Sequence, residues 1–189
     1  MTGWGKYKQA EQNLENMKKY HPMMLQFQNE KSNFIHACVG LFNNLLEDYR
    51  KHYNLDITNG GKKKKNVKID NFRRAAKTSN NSKAVEFIDW YKNQRSDIKE
   101  NPTFGFLENK RHEDEHEDMD NRIGINFSHE GKISNTEPTL IQPDFNDPSK
   151  MIFPENPNVS ILQVCELYLQ RLRQLILDAK QKANDIESL

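Results

Sequence analysis

Residues 30–53, EKSNFIHACVGLFNNLLEDYRKHY, decide the fold, because their apolar side chains recur at the three- and four-residue spacing of one helix face. A continuous stripe of this length predicts a helix that buries one face in a protein core. The opposite face mixes asparagine with acidic and basic residues, which favours a bundle helix over a helix on a membrane surface. The stripe consists of Phe34, Ile35, Cys38, Leu41, Phe42, Leu45, Leu46, Tyr49 and Tyr53.

A second long stripe near the C-terminus predicts another core helix, against which the first one can pack. This helix should begin near Asn158 or Ser160, because either side chain can cap a helix N-terminus. From Lys180 onward the sequence becomes polar, so we expect the end of the helix to fray. The stripe consists of Ile161, Leu162, Cys165, Tyr168, Leu169, Leu172, Leu175, Ile176 and Ala179.

Shorter segments also show helical spacing. Residues 6–20 carry an amphipathic pattern, and residues 83–100 carry another, which Ser82 can cap. Pro102 suits the first turn of a further helix that runs to about residue 117. Residues 59–65 combine two glycines with four lysines and predict a loop. Helices of these lengths bury each other most simply as an antiparallel bundle.

Residues 120–157 have a different pattern. Ile123, Ile125 and Phe127 alternate with other residues at the period of a half-buried strand, and Ile133 can begin the return strand. Several prolines keep the remainder extended or looped. The predicted fold class is therefore mainly α, an antiparallel helical bundle with a small β-hairpin and an irregular crossover before the last helix. We expect a single domain over residues 1–189, with 120–157 as a β or irregular insertion.

The composition of the 189 residues limits the classes of function. Apolar residues make up 35% and charged residues 29%, which suits a modest core with a long polar segment. The formal net charge of +1 argues against a protein that coats long nucleic acids, so any contact with nucleic acid should be local.

The cysteines and the apolar segments indicate the cellular compartment. Cys38 and Cys165 lie within apolar stripes, which predicts buried thiols and gives no support for a disulfide framework. The first ten residues lack the apolar core of a signal peptide, and no stretch approaches the roughly 18 apolar residues of a membrane span. We therefore expect a cytoplasmic protein that makes no membrane contact.

Two groups of basic residues form a candidate phosphate-binding patch. Adjacent ammonium groups attract polyanions in a salt-dependent way, although a solvated charged loop is the plainer interpretation. The two groups need to approach each other in space for the patch to form. Its members are Lys62, Lys63, Lys64, Lys65, Arg73 and Arg74.

Residues 110–118, KRHEDEHED, concentrate the side chains that can carry chemistry. His112, Glu113 and His116 fit the H-E-x-x-H pattern, in which two imidazoles hold zinc and the glutamate activates a bound water. His129 or Glu130 could supply a third ligand. The acidic residues around the pattern indicate an exposed helix end, where ligands are held less rigidly than in a packed site.

The same segment also permits RNA cleavage without a metal. The RNA 2′-hydroxyl is the nucleophile, and the protein must supply a proton-transfer group and a cation for the developing phosphorane charge. His116 suits the first role, because histidine titrates near neutral pH. Arg111 suits the second, because its planar guanidinium matches phosphate geometry. A solvated acidic face without chemistry is the structural interpretation of the same residues.

The spacing of Arg111, His112, three variable residues and His116 resembles the motif of the HEPN superfamily, a group of small helical-bundle domains. The similarity extends over about residues 30–118 and 158–180. A closing segment and a lead-in to the motif are also similar: FIDWY at 87–91, NP at 101–102, FGFL at 104–107 and VCELYL at 164–169.

The resemblance implies a metal-independent endoribonuclease site without a cofactor. In it Arg111 positions and stabilises phosphate, His116 transfers a proton, and His112 assists as the polar third member. The resemblance also implies RNA as the substrate, a homodimer in which two motifs face each other, and a toxin or defence system with an antitoxin partner. Such a dimer would bring the groups together, since residues five apart on one straight helix lie about 140° apart.

Two features of the sequence keep alternatives open. Carboxylates such as Glu113 and Asp118 surround the motif and repel phosphate, so a non-catalytic helical dimerisation or binding module is the second hypothesis. A zinc hydrolase is the third. Another Arg-to-His spacing, Arg122 to His129, also falls within the range of the family, but it lies on the predicted strand.

Overall fold

The structure is a computed structural model that describes residues 2–20, 25–59, 62–63, 67–109, 152–153 and 155–188, with only the backbone of 58–59 and 62–63. These residues are mostly helical, which confirms the predicted mainly-α class. Five helices have both ends in the described part: α1 (Gly3–Met17), α2 (Leu25–His52), α3 (Ile69–Thr78), α4 (Ser82–Lys99) and α5 (Ile161–Glu187). Two small antiparallel sheets accompany them: β1 (Thr58–Asn59) with β2 (Lys62–Lys63), and β3 (Ile152–Phe153) with β4 (Asn156–Ser160).

The two long stripes form α2 and α5, and their apolar faces lie at the centre of one core. Ser160 is the N-cap of α5, as predicted, and its hydroxyl accepts a hydrogen bond from the Gln163 amide at 3.2 Å. Cys38 on α2 and Cys165 on α5 are fully buried free thiols, which confirms that interpretation. Burial in apolar surroundings raises the pKa of both thiols, so neither is a ready nucleophile.

The predicted fraying of α5 from Lys180 onward is wrong. The helix continues to Glu187, because Ala183 and Ile186 extend the buried stripe by two further turns. Lys83 of α4 donates to the Glu187 carbonyl at 3.2 Å and so satisfies one of the C-terminal carbonyls of α5.

Contacts between α1 and α2 show that these two helices run in opposite directions. Gly3 of α1 packs against Leu45 of α2, whereas Lys6, one turn further along α1, lies beside Gly40, one turn earlier on α2. The chain therefore runs down α1 while it runs up α2. This order confirms the antiparallel bundle for that pair.

The same order holds between α4 and α5. Lys182 of α5 forms an ion pair with Glu86 near the start of α4, at 2.6 Å. Arg171, earlier on α5, donates to the Gln94 side chain, later on α4, at 2.8 Å. Helices α4 and α5 are therefore antiparallel as well.

Helix α3 was not predicted, and the N-cap of α4 was assigned to the wrong residue. On α3 only Phe72 and Ala76 are buried, so the apolar signal is a single pair of residues among charged neighbours. Asn81 caps α4, accepting from the Ala84 amide at 2.9 Å, and Ser82 is already helical.

The predicted loop over residues 59–65 is partly wrong, because Lys62 and Lys63 form a strand. Thr58 pairs with Lys63 and Asn59 with Lys62. In the sequence two glycines separate these strands, and Gly-Gly is a dipeptide typical of tight hairpins.

A small β element precedes the last helix, as predicted. In the described part it consists of β3 and β4, with Ile152 opposite Ser160 and Phe153 opposite Asn156. The predicted strands around Ile125 and Ile133 lie outside the described residues. None of the described helices has both the length and the apolar composition needed to cross a lipid bilayer.

Candidate functional site

The motif itself lies outside the described residues. This holds for the proposed catalytic residues and the alternative metal ligands, and for two lysines of the basic patch: Arg111, His112, Glu113, His116, His129, Glu130, Lys64 and Lys65. The structure does describe residues 101–109, which lead directly into the motif. Three or more clustered histidine, cysteine or carboxylate side chains able to hold a metal ion do not occur within the described part.

The lead-in begins with a tight turn over residues 101–106, not with the helix predicted from Pro102. Asn101 holds the turn, because its side chain accepts from the Thr103 amide at 2.9 Å and its carbonyl accepts from the Gly105 amide at 2.8 Å. Helical backbone follows at residues 107–109.

Three apolar side chains fix this lead-in to the core. Phe104 is 6% exposed and lies 5.3 Å from the ring of Tyr168 on α5, centroid to centroid. Leu107 is fully buried. Phe106 contacts Phe153 of β3 edge to face at 5.1 Å, so the small sheet covers the lead-in from the other side. The chain therefore enters the motif from a position held by α5 and β3.

Gly105 is required in this turn, because a Cβ there would overlap with the backbone carbonyl oxygens of Lys99 and Asn101. We expect Gly105→Ala to lower the free energy of unfolding by about 1–3 kcal/mol, since backbone atoms cannot move aside as a side chain can. Chemical denaturation measures this difference.

Gly40→Ala is the matched control for this substitution. A Cβ at Gly40 would meet only the flexible Lys6 side chain, at 3.4 Å, and alanine in a helix is favoured over glycine by up to about 1 kcal/mol. Stability equal to the wild type for Gly105→Ala would show that the turn is looser than these contacts indicate.

A polar cluster lies in the core beside the lead-in. Arg95 of α4 and Glu108 form an ion pair at 3.3 Å, and the Glu108 side chain is only 9% exposed. The Arg95 guanidinium also lies over the Phe42 ring, 4.9 Å from its centroid, in a cation–π contact. The pair ties α4 to the residue that stands three positions before Arg111 in the sequence.

Two buried tyrosines complete the cluster. Tyr91 donates its hydroxyl to the Phe42 carbonyl at 3.0 Å. Burial raises the pKa of Tyr91 and of Tyr168, and the Glu108 charge raises the pKa of Tyr168 further. Both phenols are therefore neutral at physiological pH.

Two polar atoms of this cluster have no hydrogen-bond partner among the described residues. They are Glu108 Oε1 and Tyr168 Oη, both buried. Buried polar groups are normally hydrogen-bonded, so each can accept or donate a bond to a residue outside the described part, to water or to a ligand. The cluster thus places a carboxylate and a neutral phenol at the point where the chain enters the motif.

The basic patch is described only in part. Arg73 of α3 forms an ion pair with Asp89 of α4 at 3.2 Å, so its charge is partly compensated. Arg74, next to it, is exposed and forms no ion pair within the part of the chain that the structure describes. For Lys62 and Lys63 only the strand backbone is described. Among the described side chains of the patch, Arg74 is therefore the one free to meet a phosphate.

A second candidate site is a groove between α1, α2 and α5, with a volume of about 480 Å³. Its lining is mainly apolar, and its polar groups belong to an acid, a histidine, a lysine, a tyrosine and a tryptophan. The side chains of Trp4 and Leu177 remain 42% and 44% exposed there. The lining residues are Trp4, Leu45, Asp48, Tyr49, His52, Ile176, Leu177 and Lys180.

Of the acid, the histidine and the lysine in the groove, the first two have partners within the protein. Asp48 accepts a hydrogen bond from the Gly3 amide, the first N–H of α1, at 2.7 Å. The Nε2 atom of His52 lies 2.7 Å from a carboxylate oxygen of Glu187. Lys180 is exposed and forms no hydrogen bond or ion pair with another described residue.

Comparison with family models, with curated proteins and with solved structures finds no match to this chain.

Sequence reasoning missed both the polar cluster and the groove. The Arg95–Glu108 pair depends on the turn at 101–106, which reverses the chain so that residues thirteen apart meet. The groove joins Trp4 to Leu177 and Lys180 across three helices. One sequence signal for the cluster was available. Glu108 directly follows the apolar run FGFL at 104–107 and so marks a charge at the edge of the core.

Proposed function

We propose that the chain is a HEPN-like helical domain that cleaves RNA without a metal, with Arg111, His112 and His116 as its catalytic residues. The observation that carries the proposal is the spacing of these three residues in a mainly-α bundle whose chain enters the motif from an anchored lead-in. Anchoring favours catalysis, because catalytic groups act only when a rigid frame holds them.

The proposed chemistry needs two functional groups and no cofactor. His116 takes the proton of the RNA 2′-hydroxyl, whose oxygen attacks the adjacent phosphorus. Arg111 stabilises the charge of the phosphorane, and the 5′-oxygen leaves with a proton returned from an imidazolium, for which His112 is available. The products are a cyclic phosphate and a 5′-hydroxyl. The exposed Arg74 is available to hold a neighbouring phosphate.

An RNA cleavage assay in excess EDTA tests the proposal. We expect the wild type to cut RNA and Arg111→Ala and His116→Ala each to lose roughly a hundredfold or more of the rate, as expected for loss of a proton-transfer group or of phosphate stabilisation. Arg122→Ala and His129→Ala are matched controls with the same residue types nearby, and they should retain the rate.

Each other outcome of the assay excludes the proposal or moves the site. Equal loss in the control variants moves the site to the second Arg-to-His spacing. Cleavage that EDTA abolishes, with zinc bound in the wild type and absent from His112→Ala, indicates the metal hydrolase instead. No cleavage by the wild type eliminates the ribonuclease.

The resemblance extends the proposal to the assembly and the setting of the protein. A homodimer would allow two motifs to share one cleft, and an antitoxin partner would restrain a cytoplasmic toxin. Analytical ultracentrifugation tests the dimer. A strictly monomeric active enzyme would show that one chain carries the complete site.

The second candidate function is a non-catalytic helical binding module. The observation that favours it is the apolar groove, in which Trp4 and Leu177 are each more than two-fifths exposed. Exposed apolar patches of this kind mark binding surfaces. Under this alternative the charged motif is a solvated corner of the domain.

A further inference from the structure

The groove between α1, α2 and α5 has the size and lining of a small-molecule site. Its volume of about 480 Å³ lies within the range of ligand pockets, and apolar side chains form most of its surface. Trp4 and Leu177, at its edge, are each more than two-fifths exposed. A ligand with an apolar body would remove this surface from water, which is the main driving force for binding in such a groove.

The second observation is the state of the polar groups in the groove. The α1 N-terminus offsets the negative charge of Asp48, because the carboxylate accepts a hydrogen bond from the Gly3 amide, where the helix dipole is positive. The His52 Nε2 atom is already paired with the Glu187 carboxylate. Lys180 is therefore the charged group in the described lining that retains its full hydrogen-bonding capacity for a ligand.

Tyr49 adds a neutral donor to this lining. Its hydroxyl makes no hydrogen bond with another described residue, and burial raises the pKa of Tyr49 above its usual value, so the proton is present at physiological pH. An ammonium and a phenol both donate hydrogen bonds. Their common acceptor is an anionic oxygen, so the available polar groups favour an anion over a cation.

We propose that this groove binds an amphipathic anion, a carboxylate or sulfonate on an aromatic or alkyl body, with the body between Trp4 and Leu177 and the head at Lys180. The site is independent of the proposed ribonuclease motif, with which it shares no residue. It therefore stands whether or not the chain cleaves RNA.

Fluorescence titration with anilinonaphthalene sulfonate, an aromatic anion, tests the site, with dodecanoate as competitor. We expect saturable binding at one site per chain, displacement by dodecanoate and no displacement by dodecyltrimethylammonium, whose head has the opposite charge. Equal displacement by the cation would overturn the assignment of Lys180. Binding without saturation would overturn the site.

Two pairs of variants locate the binding. Leu177→Lys places a charge in the groove and should weaken binding about tenfold or more, whereas Leu167→Lys, on the same helix and 38% exposed, does not touch the groove and should leave binding unchanged. Lys180→Gln should weaken binding about fivefold, and Lys92→Gln, at an exposed position on α4, should not. Equal effects within either pair contradict the proposal.

Two further measurements separate the alternatives. All four positions are exposed, so circular dichroism should show wild-type helicity and leave the affinities interpretable. If a second copy of the chain occupied the groove, binding of the probe would strengthen on dilution of the protein, and that result would replace the small-molecule site with a dimer interface.

Discussion

Replacement of Phe87 by alanine should lower the free energy of unfolding by about 3–5 kcal/mol, among the largest effects expected of any single change in the core. Phe87 is fully buried on α4 and contacts rings on three helices. Its aromatic partners outside α4 are Tyr49 of α2 at 4.2 Å, Tyr53 directly after α2 at 5.6 Å, and Phe72 of α3 at 6.3 Å. Truncation would leave a cavity where the three helices meet.

Phe87 also explains how a weakly amphipathic helix such as α3 is held. Apart from Phe72 and Ala76, α3 buries no side chain, and Phe72 lies against Phe87. We therefore expect Phe87→Ala to loosen α3 before the rest of the bundle, visible as faster amide hydrogen exchange over residues 69–78.

Urea denaturation of Phe87→Ala measures the loss of stability, and Lys92→Ala is the control on the same helix. Lys92 is exposed, so its truncation should change stability by no more than about 0.5 kcal/mol. A loss below about 1 kcal/mol for Phe87→Ala would mean that its neighbours close the space, and that the aromatic cluster does not hold α2, α3 and α4 together.

The long helices could be predicted from the sequence because their signal repeats. The stripe of α2 contains buried residues over about five turns, so a single misplaced polar residue does not obscure it. For α5 the predicted end at Lys180 is too early, since only Ala183 and Ile186 continue the stripe among polar residues. Periodicity predicts the existence of a helix reliably and the positions of its ends poorly.

Helix α3 shows where the periodic signal fails. Ten residues with only two buried positions look like a charged loop, and the helix is held by tertiary contact with Phe87 and not by its own pattern. The neighbouring Lys62–Lys63 strand could not be predicted either, because two residues per strand cannot show alternation. The structure of α3 therefore depends on a residue distant in sequence, whereas the two strands are local but too short to show a pattern.

The same difference between local and tertiary features applies to the candidate site. The spacing of Arg111 and His116 is local and can be read from the chain. The ion pair of Arg95 with Glu108, and the meeting of Trp4 with Lys180 in one groove, depend on how a turn and three helices fold together. Sequence reasoning could name the residues of a motif but not the groups that tertiary folding brings together.

The Arg95–Glu108 pair gives the second large effect. Glu108→Ala should lower the free energy of unfolding by about 2 kcal/mol, less than the roughly 3–5 kcal/mol for breaking a fully buried pair, because Arg95 is 30% exposed and water can partly solvate its charge. The loss comes mainly from the guanidinium left without its carboxylate between α4 and the lead-in. Thermal or chemical denaturation measures it.

A double variant separates the charge interaction from simple loss of packing. In Arg95→Met/Glu108→Leu both charges are absent and the volumes are kept, so no charge remains unpaired, and we expect a smaller loss than in Glu108→Ala. If the double variant is no more stable than the single one, then Glu108 acts through its contact with the core and not through Arg95. If it recovers most of the stability, the pair itself is nearly neutral for folding. Its position three residues before Arg111 in the sequence would then reflect the need to hold the lead-in in one orientation, and, under the proposed ribonuclease function, the variant should cut RNA more slowly than its stability alone explains.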